Sequence, residues 1–82
     1  MDDEKQIRQF VEGLLQGKGD FKAFGDSESL ILSGRLASLD AVEIVMFLEN
    51  RFGLDFAEIG FDQAQIDSVQ LIQALVQAYA RT

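Results

Sequence analysis

The chain has 82 residues, 48% of them hydrophobic, and contains no cysteine, histidine or proline. One domain fills that length; the apolar content argues against disorder, and the lack of cysteine excludes a disulfide-stapled scaffold. Fourteen acids against seven bases leave a net charge of −7, which argues against nucleic acid as a partner, because phosphate binding needs clustered Lys and Arg.

The opening residues, MDDEKQ, are charged and acidic, unlike a secretory signal. No run reaches the roughly 20 apolar residues of a membrane span. The expectation is a cytoplasmic, monomeric protein. Ile7, Phe10, Val11, Leu14 and Leu15 recur at helical spacing, which predicts an amphipathic helix of about four turns ended by Gly17 and Gly19. From Gly17 to Ala37 no period is sustained. Glycines and small polar residues alternate there with Phe21, Phe24, Leu30, Ile31, Leu32 and Leu36, a long loop pinned to the core by apolar anchors.

A second helix is predicted from Ser38 to Phe52, stopped by Gly53. The connection LDFAEIGFDQAQI holds one short helical turn around Asp62 to Gln65. The last helix follows Ser68, which suits an N-cap, and presents Val69, Ile72, Leu75, Val76 and Tyr79 on one side. The fold class is therefore all-α: a small antiparallel bundle of three main helices plus a short helical turn, in a single domain over 1–82.

The second helix carries more apolar surface than a core needs. At about 100° per residue, Ala41, Ile44, Val45, Leu48 and Phe52 fall in one arc, a normal core face. Leu39, Val42 and Met46 fall in another, beside Ser38, Glu43 and Glu49. The long loop is expected to cover Leu39. Val42 and Met46 have two readings: packing under that loop, or a docking surface in which an adaptable methionine and a valine supply contact area and the carboxylates attraction. Charge bears on the choice, since the segment from Ala37 to Asp67 holds seven acids and a single base, Arg51. That excess either keeps a small protein soluble or steers a basic partner. Ser38 sits where loop becomes helix. It is either an ordinary cap or a modification site, where the helix N-terminus favours an attached phosphate.

With SLDAVEIVMFLENRFG in view, the chain resembles the acyl carrier protein family over nearly its whole length. Ser38 is followed by Leu39 and Asp40, with Glu43 and Met46 down the helix and Phe52-Gly53 closing it. The resemblance implies a carrier that catalyses nothing itself. Ser38 would hold 4′-phosphopantetheine, received from coenzyme A through a phosphopantetheinyl transferase (a holo-carrier synthase). The arm would carry acyl groups as thioesters to enzymes of lipid, fatty-acid or secondary-metabolite synthesis. It also implies that Asp40, Glu43 and Glu49, with Val42 and Met46, meet basic docking patches on acyl-transferring and acyl-modifying enzymes. One departure stands out: the family's aspartate before the serine is Ala37 here. That substitution raises the alternative of an unmodified, carrier-like interaction module, and it suggests a specialised carrier.

Other chemistries fit poorly. With neither histidine nor cysteine, no serine has an evident base partner, and no catalytic residue is expected. A calcium loop begun at Asp55 puts Ala57, Ile59 and Ile66 where oxygen ligands are needed, so no metal site is expected. GKG at Gly17–Gly19 lacks the rest of a phosphate loop. Asp67-Ser68-Val69 imitates the attachment motif, yet the neutral helix after it identifies Ser68 as a cap.

Overall fold

A computed structural model of the chain describes residues 3–79. Helix α1 spans Asp3–Gly17, with Asp3 and Glu4 in its first turn, where carboxylates complement the positive end of the helix dipole. Ile7, Val11 and Leu15 form its buried stripe, and Phe10 and Leu14 pack on the edges of the core. The helix ends in two overlapping hydrogen bonds: Asp20 N–H donates to the Leu15 carbonyl at 2.9 Å and Gly19 N–H to that of Gln16 at 3.0 Å. This closure needs a left-handed residue at its corner, and Gly19 supplies one with φ 83°.

The loop from 18 to 37 contains turns but no helix. Phe24, Leu30, Ile31 and Leu36 anchor it in the core, whereas Phe21 and Leu32, also expected as anchors, lie exposed. Polar contacts do the rest of the fixing. Arg35 extends its guanidinium along the loop, meeting Asp20 at 3.0 Å, Glu28 at 2.8 Å, and the carbonyls of Lys22 and Ala23. From the far end of the chain, one Asp67 carboxylate oxygen accepts the N–H groups of Ile31 and Leu32, each at 2.8 Å. The Asp67 carbonyl accepts that of Leu30, also at 2.8 Å. Arg8 adds a third hold, donating to the Phe24 carbonyl at 3.2 Å and pairing with Asp26. A loop with so little internal repeat keeps one shape because charged side chains satisfy its backbone and acids.

Helix α2 spans Ser38–Phe52, as the periodicity predicts. Ala41, Ile44, Leu48 and Phe52 are buried and Val45 is half-buried. Gly53 ends the helix in the left-handed conformation, φ 71°. The connection that follows holds two short elements rather than one. Helix α3, Phe56–Ile59, is capped by Asp55, whose side chain accepts from Ala57 N–H. A 3-10 turn, Gln63–Ile66, is capped in the same way by Asp62. Phe56 and Ile66 are their buried anchors. Helix α4 spans Val69–Tyr79, and Val69, Ile72, Leu75 and Val76 are buried. Tyr79, expected on that face, is half-exposed instead, because it lies at the helix end beyond the core.

Helix α1 packs on α4 and α2, and the 3-10 turn closes against α2 and α4. No strand occurs among the described residues, and none of their helices is long and apolar enough to cross a membrane. The result is a small helical bundle with all of α2's outer surface on display.

Candidate functional site

Helix α2 opens without a side-chain cap. Its N-cap is Ala37, in extended conformation, and a methyl group accepts nothing. Ser38 is the first helical residue and is exposed, and among the described residues its hydroxyl has no hydrogen-bond partner. It is therefore not the cap that the residue type suggests. The open N–H groups of the first turn and the positive end of the helix lie beside a free hydroxyl.

The cap function is met in part from inside the helix. Asp40, three residues after Ala37, turns its carboxylate back so that one oxygen accepts Ala37 N–H at 2.8 Å. This is one half of a capping box, the half that an N-cap alanine still permits. The same oxygen is ion-paired with the Lys18 ammonium, just past the end of α1. Burial alone would raise the Asp40 pKa. The hydrogen bonds from Lys18 and Ala37, together with the Lys18 charge, outweigh it and hold the carboxyl below its usual range.

Asp40 thus departs from its expected place on the partner-facing surface. Its side chain is only 12% exposed, and one carboxylate oxygen takes both the Lys18 ammonium and the Ala37 N–H within the fold. Glu43 and Glu49 are exposed, on opposite borders of α2's outer face. Glu49 also reaches the start of α3, where its carboxylate accepts Phe56 N–H at 3.3 Å. Between these borders lie Leu39, Val42 and Met46, which are 74%, 48% and 54% exposed. The loop does not cover Leu39: Leu36 is its last buried anchor before α2. Ser38, Leu39, Val42, Glu43, Met46 and Glu49 are thereby brought onto one exposed face, and Asp40 is not.

Two aromatic residues that the periodicity did not single out as a pair extend this face toward α1. Phe10 and Phe47 stack with ring centroids 4.2 Å apart and planes 9° from parallel. Phe52 meets Phe47 edge-on at 5.8 Å. Phe10, Phe47 and Met46 line an open groove of about 290 Å³ with Glu43 and Asn50. The signal for the pair was available in Phe47's place, about 180° from Ser38 on the wheel and so facing a neighbouring helix.

The second serine behaves differently. Ser68 is buried and its hydroxyl accepts Leu71 N–H at 3.2 Å, which makes it the N-cap of α4. Asp67 before it is occupied with the loop. Among the described residues no group of three or more acids is placed to hold a metal ion. The chemistry within reach of α2 is therefore that of one free hydroxyl at a helix N-terminus, with an apolar stripe and two carboxylates beside it. Comparison with protein-family models, with curated proteins and with solved structures gives no match for the chain.

Proposed function

We propose that the chain is an acyl-carrier-like protein whose Ser38 accepts 4′-phosphopantetheine and which presents acyl thioesters on that arm to biosynthetic enzymes. In the loading step, the Ser38 oxygen attacks the β-phosphorus of coenzyme A. A serine phosphodiester forms and the phosphoanhydride bond breaks; adenosine 3′,5′-bisphosphate leaves, and the hydroxyl proton passes to the transferase or solvent. The observation that carries this reading is the free, exposed Ser38 hydroxyl at an uncapped helix N-terminus. A phosphodiester there would take up the open N–H groups that Ala37 leaves unsatisfied, so the residues present suit the group.

The cofactor supplies the thiol. The chain's own part is to present it and be recognised. The apolar stripe Leu39, Val42 and Met46 offers contact area, and Glu43 and Glu49 favour partners with basic patches. Intact-mass measurement after incubation with a promiscuous phosphopantetheinyl transferase, coenzyme A and Mg²⁺ tests the reading. A gain of one phosphopantetheine that disappears in Ser38→Ala is expected. If a control carrier is loaded and this chain is not, the alternative of an unmodified interaction module takes its place.

A further inference from the structure

The pair formed by Lys18 and Asp40 joins the end of α1 to the first turn of α2. Lys18 follows the end of α1, held there by the closure around Gly19. Asp40 lies in the first turn of α2, and the oxygen that receives the lysine also receives Ala37 N–H. Leu36, immediately before, is buried, and its N–H donates to the Leu30 carbonyl at 2.8 Å. The backbone at Ala37 is thus gripped on both sides, by the loop before it and by Asp40 after it.

Without such a grip this corner would be loose. An N-cap of Ala lacks the side-chain acceptor that normally orients the first turn. A carboxylate left to rotate freely in the first turn would divide its time between solvent and the Ala37 N–H. The lysine removes that freedom, since an ion pair on a largely buried carboxylate loses much of its strength when the carboxylate swings out. Lys18 thereby acts through Asp40 on the backbone of Ala37, three residues before the residue it touches.

We infer that Lys18 and Asp40 are positioning residues, a clamp that holds the N-cap backbone where no N-cap side chain does and so fixes the backbone from which Ser38 projects. The inference rests on the proposed function only for its consequence on loading; the clamp itself is a property of the fold. It also assigns Asp40 a role directed inward, toward α1, rather than toward a partner.

The test uses the full chain in Asp40→Ala, Asp40→Asn and Lys18→Met variants, at a temperature well below unfolding so that every variant is folded. Amide exchange at Ala37 reads the clamp directly. It should quicken by about fivefold or more in Asp40→Ala and Lys18→Met, the factor expected for one net hydrogen bond. Asp40→Asn keeps an acceptor without the charge and should fall between. Transferase kinetics then read the consequence. Loading kcat should drop by about tenfold or more through misplacement of the nucleophile, with KM little changed, and Ala37→Asp added to Asp40→Ala should restore it.

Unchanged exchange at Ala37 in the two variants overturns the clamp, whatever the kinetics. Quickened exchange with wild-type loading rates also overturns the inference, because the grip would then not govern Ser38. Quickened exchange in the variants, with a wild-type chain that is never loaded, sinks the carrier reading and leaves the clamp established as a structural device.

Discussion

Position 37 is where a single atom has the most leverage. Ala37 already has the extended backbone of an N-cap residue, φ −89° and ψ 169°, so replacing it by a capping residue demands no rearrangement. Ala37→Asp places an acceptor beside the open N–H groups of Leu39 and Asp40 and a negative charge at the positive end of the helix. Capping of this kind contributes about 1 kcal/mol, or a rise in melting temperature of about 5 °C for a domain of this size. Repulsion from the nearby Asp40 carboxylate trims the gain, so Ala37→Asn, with equal reach and no charge, is expected to stabilise the protein at least as much. The two variants separate on loading. If the carboxylate recruits the transferase and its metal, only Ala37→Asp speeds the modification of Ser38. Equal acceleration in both variants would instead trace the effect to a firmer first turn. A drop in melting temperature for both, measured by circular dichroism, would mean that the N-terminus of α2 is not open as described.

At the scale of the element, α2 works as two faces back to back, and only the outer one is available to a partner. Because Asp40 is neutralised inward, the outer charge falls to Glu43 and Glu49, at either side of Leu39, Val42 and Met46. Glu43→Lys should therefore weaken association with a basic partner strongly at low ionic strength and much less near 1 M salt, where the screening length shrinks to about 3 Å. Titrations at the two salt concentrations check it, and equal losses would reduce the acids to a solubility role. Asp40→Asn should not show this salt signature, which distinguishes the two carboxylates by function. Periodicity made the three longer helices legible to within a residue or two, because each carries a stripe of four or more apolar residues. Helix α3 escaped because four residues are too few to show a period; its only marks are Asp55 before it and Gly60 after it. The inward turn of Asp40 was legible in principle. On the wheel it lies about 20° from Phe47 and about 40° from Ile44, on the inner side. Its ion pair was not, since no local pattern joins Lys18 to a residue in another helix.

Across the whole molecule, the long loop is the part whose shape depends on ionisation. Asp67 is nearly buried, and desolvation would raise its pKa, but hydrogen bonds from Ser29 and from the N–H groups of Leu32, Ile31 and Leu30 outweigh that and lower it. Asp20 and Glu28 are lowered too, first by hydrogen bonds from Arg35, and Asp26 by one from Arg8. A carboxyl whose pKa is lower in the folded state than in the unfolded chain contributes stability that is complete above the unfolded value, near 4. That contribution is lost as pH falls through the folded value. Denaturant titrations should therefore give a stability that holds between pH 7 and about pH 5 and then declines steadily toward pH 2. Relief of the net charge of −7 works in the opposite direction between pH 7 and the isoelectric point near 4.2, and it flattens the upper part of the curve. Asp67→Asn isolates one of these contributions, because the amide oxygen still accepts from Ile31 and Leu32 but carries no charge. The variant should be less stable than wild type at pH 7, and the gap should close as the wild-type carboxylate protonates. A gap that persists unchanged to pH 2 would place the value of Asp67 in its shape alone, and the loop would then be held by its apolar anchors and Arg35 without help from the charge at the start of α4.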